Sequence, residues 1–153
     1  HRTEETKLLR EYCQNVPVNS VFVYFMQEAE SHGVRTDLSL DIPKQLAVPD
    51  IELAAAVANL LDNALRACRM IDRQQNRWLN IYAKHVGGQI IIEVSNPCVA
   101  NKIRFDETTG LPLSDRGEGH GIGMQSVLAF TRRNGAEFDC EVREGVFYAR
   151  LLV

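Results

Sequence analysis

The sequence has no long hydrophobic run and no excess of basic residues. Its longest apolar stretch, residues 21–26, is far shorter than the roughly 18 residues that a membrane-spanning helix requires. Lys and Arg number 17 against 20 Asp and Glu, which gives a formal net charge of −3. Proteins that bind duplex DNA usually present a basic surface. The composition therefore argues against membrane contact and against a nucleic-acid partner.

Closely spaced cysteines are also absent. The 4 cysteines, Cys13, Cys68, Cys98 and Cys140, form no Cys-x-x-Cys pair, so a structural zinc site is not expected. A chain of 153 residues can bury an adequate core without disulfides. We therefore predict reduced, mostly buried thiols in a cytosolic setting.

The length suits a single domain with a short appendage. No secretory signal is visible at the start. The first residue is His1 and not Met, so we expect the chain to be part of a longer protein. Residues 1–13 are predicted to be the end of a linker helix from an upstream domain, because residues 3–13 are charged and helix-prone. The domain itself is predicted to span residues 14–153.

Hydrophobic periodicity and turn residues predict a mixed order of helices and strands. The predicted elements are a break over 15–19, a helix over 20–31, a strand over 38–42, a helix over 50–70, strands over 78–84 and 89–95 joined by a turn at 87–88, a long irregular loop over 96–118, a helix over 122–134, and strands over 137–142 and 146–153. This order predicts an α+β fold, a two-layer α/β sandwich with helices on one face of a mixed sheet. The long loop is expected to be functional.

The helix predicted over 50–70, with Asp50 as its N-cap, carries the most informative pattern. Its apolar residues share one arc that should face the core: Leu53, Val57, Leu60, Leu61, Ala64 and Cys68. The opposite flank consists of Glu52, Ala56, Asn59, Asn63 and Arg66. Asparagine is a mediocre helix former, so Asn59 and Asn63 one turn apart indicate a specific role. A carboxamide oxygen suits Mg²⁺ bound to substrate phosphates, and an incidental polar face is the alternative.

Glycines alternate with other residues just before the last predicted helix, at Gly117, Gly119, Gly121 and Gly123. Glycine lets backbone N–H groups approach an oxyanion closely, and the start of a helix adds a favourable dipole. The stretch lacks the preceding strand of a dinucleotide fingerprint and the Gly-Lys-Ser/Thr of a Walker loop. It predicts a phosphate cradle, and a flexible surface loop is the alternative.

A polar residue ends the strand predicted over 89–95. Asn96 continues the apolar face formed by Ile92 and Val94, so its carboxamide would lie at the floor of a pocket enclosed by the following loop. An amide in that place can accept from and donate to a purine edge. An Asx turn capped by Pro97 is the alternative, and both interpretations can hold together.

In this order, the asparagine helix, the polar strand end, the long loop and the glycine stretch resemble the GHKL ATP-binding superfamily of gyrase, Hsp90, MutL and histidine kinases. The segment Asn59-Leu-Leu-Asp-Asn63-Ala looks like its N box, and Gly117-Glu-Gly-His-Gly-Ile-Gly-Met124 looks like its second glycine box. The motif Val18-Asn19-Ser-Val-Phe22 is similar to bacterial sensor kinases of the peptide-quorum-sensing receptor type. The resemblance implies a Bergerat ATP-binding fold over most of the chain.

The resemblance also implies roles for individual residues. Asn63 would coordinate Mg²⁺, Asn59 would position the metal or its water, and Arg66 would lie near the ATP phosphates. Asn96 would contact the base, and residues 99–118 would form the ATP lid. The glycine-box residues that would bind the nucleotide are Gly117, Gly119, His120, Gly121, Ile122, Gly123 and Met124.

The sequence departs from the superfamily at two places. Asn96-Pro97-Cys98 stands where most members have Asp-x-Gly-x-Gly, whose carboxylate takes the adenine amino group. An amide in its place removes a charge-assisted hydrogen bond of about 1 kcal/mol, so weak nucleotide binding is expected. Asn59 stands where gyrase-type members use a glutamate to activate water, so poor hydrolysis and transfer to an imidazole are expected.

The resemblance implies the catalytic domain of a bacterial two-component sensor histidine kinase, the cytoplasmic part of a membrane-bound sensor. It would transfer the γ-phosphoryl group of ATP to a histidine on a separate dimerisation domain, because no histidine of the chain is placed as the acceptor is expected to be. A homodimeric parent and a downstream response regulator would be its partners. Two alternatives stay open: a degenerate GHKL docking module with little or no nucleotide binding, and a GHKL serine kinase of the anti-sigma type.

Overall fold

The computed structural model describes residues 10–73, 75–99, 104–105, 107–108, 112–113 and 122–153. The helices in these ranges are α1 (Val16–Ser31), α2 (Asp50–Arg69) and α3 (Ile122–Asn134). The strands are β1 (Arg35–Leu40), β2 (Trp78–Val86), β3 (Gln89–Pro97), β4 (Arg104–Phe105), β5 (Pro112–Leu113), β6 (Glu137–Arg143) and β7 (Val146–Leu152).

The five longer strands form one mixed sheet in the order β1-β2-β3-β7-β6. Strands β1 and β2 run parallel, and the other neighbours in this sheet are antiparallel. The short strands β4 and β5 pair only with each other. Exposure alternates along the strands and the helices pack on the buried face, which confirms the predicted α+β fold with helices on one face of a mixed sheet.

The core lies between the sheet and the three helices. Its largest fully buried side chains come from both layers and are Phe22, Phe130, Leu53, Leu60, Leu61, Leu65, Leu79, Ile81, Ile92, Leu151, Val18 and Val57. Burial of one such side chain contributes about 1.5–3 kcal/mol relative to exposure. Every residue of the predicted apolar arc of α2 is buried, so the orientation of this helix was predicted correctly.

The other face of the sheet carries paired charges. Arg150 binds Glu93 at 2.6 Å and Glu141 at 3.1 Å. The guanidinium of Arg143 lies 4.8 Å from the ring centroid of Tyr148 on the same face. Because these polar groups satisfy one another, this face is suited to contact with water, as is common in largely antiparallel sheets.

Helix α1 begins at Val16, earlier than the predicted residue 20. The side chain of Asn15 caps the helix by accepting a hydrogen bond from the Val18 backbone N–H at 3.2 Å. Pro17 lies in the first turn, where its missing N–H is tolerated because that group has no partner within the helix. The predicted break over residues 15–19 is therefore wrong for residues 16–19, which form the first turn of α1.

Other element bounds shift by a few residues. Residues 10–13 are not helical, so the predicted linker helix does not extend to its predicted end, and residues 3–9 lie outside the described residues. The N-cap of α2 is Pro49, and Asp50 is the first helical residue. Its negative charge in the first turn still interacts favourably with the helix dipole.

The strands also differ somewhat from the prediction. Strand β3 continues through Asn96 to Pro97, and the short strands β4 and β5 interrupt what was predicted as an irregular loop. Helix α3 has the predicted bounds. Gly135, at φ 63°, follows the last helical residue and adopts the left-handed conformation with which helices commonly end.

No helix in the described part of the chain is long and apolar enough to span a bilayer. The cysteines are free thiols. Cys13 and Cys68 are buried as predicted, whereas Cys98 and Cys140 are only half-buried.

Candidate functional site

Strand register brings several element ends to one end of the sheet. Because β2 and β3 are antiparallel, the start of β2 at Trp78 lies at the same end as Asn96 in β3. Pro97 pairs with Val146, so the start of β7 lies there as well. We call this end of the sheet the site end, and we call the opposite end, with the β2–β3 turn at Gly87, the hairpin end.

Asn96 lies on the inner face of β3 at the site end, as its position in the strand pattern predicted. The residue is only 1% exposed. Its Nδ2 donates to the carbonyl oxygen of Pro97 at 3.0 Å. Its buried Oδ1 has no hydrogen-bond partner among the described residues. A buried acceptor without a partner costs about 1–3 kcal/mol, so a donor on a bound molecule would find a favourable position here.

The second half of α2 lies at the same end of the sheet. Cys68, near the end of α2, donates from Sγ to the carbonyl oxygen of Trp78 at 3.3 Å. Helix α2 therefore runs antiparallel to β2, with its last turns at the site end. Asn59 and Asn63 are both half-buried, and neither carboxamide forms a hydrogen bond with another residue in the described part of the chain.

The flank of α2 that carries the asparagines is partly covered. Ala56, on this flank, is only 2% exposed, and α3 packs against α2. The sequence analysis placed this flank opposite the core, and the burial of Ala56 shows that part of the flank is covered. The asparagines lie along the border of a helix–helix contact and not on a fully solvated face.

An ion pair fixes the direction in which α3 lies on α2. Glu52 Oε1 accepts from Arg133 Nε at 2.9 Å and from Asn134 Nδ2 at 3.4 Å. The hydrogen bonds from Arg133 and Asn134 lower the pKa of the Glu52 carboxyl. The first turn of α2 therefore lies beside the last turn of α3, and the two helices are antiparallel.

Antiparallel packing places the start of α3 level with the asparagines. Asn63 lies about 16 Å along α2 from Glu52, and Ile122 lies the same distance along α3 from Arg133, at 1.5 Å per residue. The start of a helix carries a partial positive charge that favours an anion. The asparagine flank, the start of α3 and Asn96 are thus at one end of the molecule.

Arg66 lies one turn beyond Asn63 and is paired within its own helix. Its Nε contacts Asp62 Oδ2 at 2.9 Å, and the two side chains are 47% and 45% exposed. An exposed pair of this kind contributes about 0.3–0.5 kcal/mol, so the guanidinium can be drawn to a stronger anion without a large cost.

The structure describes only part of the predicted glycine box. Gly117, Gly119, His120 and Gly121 lie outside the described residues, as does most of the predicted lid over 99–118. Ile122 and Gly123 open helix α3. The Met124 side chain is 4% exposed and belongs to the core.

The sequence analysis did not predict the ion pair between α2 and α3. An acid in a first helical turn indicates only a favourable dipole, and the partners of Glu52 come from the far end of the chain. No group of three or more His, Cys, Asp or Glu side chains suited to a metal ion occurs among the described residues.

A protein-family model described as GHKL domain matches residues 49–153. None of the curated proteins compared with the chain matches it.

Several solved histidine kinase structures have a similar fold. The catalytic domain of histidine kinase ThkA has a TM-score of 0.68 at 16% identity, covering 90% of this chain and 89% of that one. Histidine kinase AdeS of Acinetobacter baumannii has a TM-score of 0.66 at 14% identity, covering 90% of this chain and 62% of that one. The mycobacterial sensor kinase MprB has a TM-score of 0.62 at 12% identity, covering 87% and 91%.

Proposed function

The chain belongs to the GHKL domain family, and on this basis we propose that it is the ATP-binding catalytic domain of a bacterial two-component sensor histidine kinase. It transfers the γ-phosphoryl group of ATP to a histidine on a separate dimerisation domain. The observation that supports this most is the unpartnered Oδ1 of Asn96, buried at the same end of the sheet as the asparagine flank and the start of α3.

The orientation of the Asn96 carboxamide suits an adenine base. Its Nδ2 is engaged by the Pro97 carbonyl, so the free group is the acceptor Oδ1. The exocyclic amino group of adenine is a donor, whereas guanine presents a carbonyl oxygen at the same ring position. Because an amide replaces the family's carboxylate, the hydrogen bond is not charge-assisted and the binding is weaker.

The phosphates and the metal would be held by the asparagine flank and the residues that precede α3. Asn63 would bind Mg²⁺ through its Oδ1, and Asn59 would orient the metal or its water. Mg²⁺, when bound, supplies positive charge that offsets the phosphate oxygens. Arg66 and the backbone of Gly119, Gly121 and Gly123 would add to this stabilisation. Gly117, His120 and Ile122 would shape the loop, and Met124 would anchor the start of α3 in the core.

The acceptor imidazole comes from another domain in this proposal. His32 caps α1 and lies 3.6 Å from Glu28, and His85 lies in β2 near the hairpin end, away from the asparagines. With Asn59 in place of an acidic water activator, transfer to an incoming imidazole is favoured over hydrolysis. The parent would be a homodimeric, membrane-bound receptor of the peptide-quorum-sensing type, with this domain in the cytoplasm and a response regulator downstream.

Calorimetry with a non-hydrolysable ATP analogue and Mg²⁺ tests the nucleotide site. We expect binding by the wild-type chain and an affinity at least about tenfold lower for Asn63→Ala, because a metal ligand is lost. The matched control is Asn80→Ala, an exposed asparagine in β2, which should bind like wild type. Absence of heat from the wild-type chain at millimolar ligand would instead favour a docking module.

The base contact has a test of its own. We expect Asn96→Ala to lower the affinity for ATP about tenfold and to remove the preference for ATP over GTP, since the lone acceptor is lost. An unchanged ratio of the two affinities would show that Asn96 does not contact the base.

The acceptor is identified by the chemistry of the product. When the parent receptor or its dimerisation domain is supplied with labelled ATP, we expect phosphate that is released by acid, as from phosphohistidine. Acid-stable phosphate would point to the serine kinase.

A further inference from the structure

The Val18-Asn19-Ser-Val-Phe22 motif of α1 has a residue that core packing does not explain. Val18 and Phe22 are both 0% exposed and anchor the helix in the core. Asn19 lies between them on the helix but is only half-buried, and it has low helix propensity. The role of the Asn19 side chain must therefore be inferred from its hydrogen bonds.

The Asn19 carboxamide holds the backbone of the segment that precedes α1. Its Oδ1 accepts from the Tyr12 N–H at 2.6 Å and from the Cys13 N–H at 3.2 Å. Its Nδ2 donates to the Arg10 carbonyl oxygen at 3.2 Å. One side chain thus satisfies three backbone groups of residues 10–13, which we call the strap.

Further contacts hold the strap against α1. The ring centroid of Tyr12 lies 6.4 Å from that of Phe22. Cys13 is 7% exposed, and its Sγ donates to the Asn15 carbonyl oxygen at 3.6 Å. The Arg10 guanidinium lies 5.1 Å from the centre of the Tyr12 ring. The strap is therefore docked although it is neither helix nor strand.

The strap leads from the start of α1 toward its end. Arg10 and Tyr12 line a groove of about 420 Å³ together with Met26, Glu30 and residues 33–36. Arg35, the first residue of β1, pairs with Trp78 at the site end of the sheet. Backward along the chain, the strap thus approaches the end of the molecule that carries Asn96 and the asparagine flank.

We infer that Asn19 is a positioning residue for phosphotransfer, an inference that rests on the proposed function. It fixes the strap on α1 and so fixes the position and direction of the chain at Arg10. Small misplacements of reacting groups lower the rate of a transfer step strongly. Asn19 contacts neither the asparagine flank nor Asn96, so the affinity for nucleotide does not depend on it.

The first test measures the strap itself in the 153-residue chain by amide hydrogen exchange. In Asn19→Ala, exchange of the Tyr12 and Cys13 amides should rise about tenfold or more, because both lose their acceptor. Asn19→Asp keeps that acceptor and should show a smaller increase. The matched control is Ser20→Ala, because the Ser20 Oγ donates to Val16 O of the same helix at 3.1 Å, and the exchange of this variant should equal that of wild type.

The second test measures phosphotransfer in the parent protein that contains the dimerisation domain. Asn19→Ala should lower kcat about tenfold with the KM for ATP unchanged, and Asn19→Asp should recover part of the rate. The inference is overturned if strap exchange does not change, if exchange rises while kcat is unaffected, or if KM rises together with a lower unfolding midpoint. A wild-type chain that binds no nucleotide would refute the proposed function and leave the exchange result intact.

Discussion

At the scale of the residue, individual asparagine side chains make contacts on which this structure depends. Asn15 caps α1, Asn19 holds the strap and Asn96 presents a free acceptor in the core. An amide carries both a donor and an acceptor without charge, so it can be buried at a lower cost than a carboxylate. Each of these three residues uses that property in a different way.

Replacement of Asn15 should destabilise the fold. The residue is 1% exposed, and its Nδ2 donates to the Lys44 carbonyl oxygen at 3.0 Å while Oδ1 caps α1. Asn15→Ala should lower the free energy of unfolding by about 1–2 kcal/mol in urea titrations. Asn15→Asp keeps the cap but loses the donor and buries a charge, so it should rescue little. Equal midpoints for wild type and Asn15→Ala would contradict this account.

The thiol of Cys68 should make stability fall at alkaline pH. Burial raises its pKa from 9.0 to about 11, although Arg77 acts in the opposite direction. Above pH 9 the unfolded chain loses this proton before the folded chain does, so stability is full below pH 9 and decreases toward pH 11. Thermal melts of wild type across this range should fall more steeply than those of Cys68→Ala. Parallel pH profiles would contradict the prediction.

At the scale of the element, the side chain of Arg77 connects the ends of two helices. Arg77 donates to Ile71 O at 2.8 Å, to His32 O at 2.9 Å and to Arg69 O at 3.1 Å. The last carbonyl groups of a helix have no partner within the helix. Arg77 therefore satisfies groups at the ends of both α1 and α2 just before β2 begins.

Loss of this arginine should loosen both helix ends. Arg77→Ala should lower the free energy of unfolding by about 1–3 kcal/mol, and Arg77→Lys should recover little, because an ammonium group cannot reproduce the planar fork of donors. Chemical denaturation measures both, with Arg132→Lys at an exposed position of α3 as the matched control. A lysine variant as stable as wild type would show that charge alone suffices.

At the scale of the whole molecule, the two ends of the sheet are lined by different elements. The last turns of α2, the end of β3 and the start of α3 are together at the site end, while the β2–β3 turn is at the hairpin end. This arrangement follows from the antiparallel packing of α2 and α3 on one sheet face. It is the spatial relation that the proposed nucleotide site requires.

Nucleotide should therefore protect one end of the molecule. With an ATP analogue and Mg²⁺, amide exchange should slow in the second half of α2, at Asn96 and at the start of α3, and remain unchanged at Gly87. Ligand at 100 times Kd should also stabilise the fold by about 2.7 kcal/mol. Protection at the hairpin end, or none at the asparagine flank, would contradict the placement of the site.

The sequence by itself determined most elements and the buried side of α2. Alternating apolar residues in strands and the 3.6-residue period of helices are local signals, and α3 was predicted with its observed bounds. Prediction from the local sequence failed where a helix-breaking signal and a helix-starting signal coincide. Pro17 was read as a helix breaker, but in a first turn it is compatible with the helix, which Asn15 caps.

Only the tertiary structure decided which parts of the chain meet. The pairing of Glu52 with Arg133 and the unpartnered oxygen of Asn96 depend on where distant segments pack, and the backbone contacts of Asn19 depend on how the strap docks on α1. Periodicity states which face of an element is apolar, but the polar partner across an interface is set by the register of strands and the direction of helices. Contacts of this kind have no local signal, because the chain between the partners does not constrain their distance.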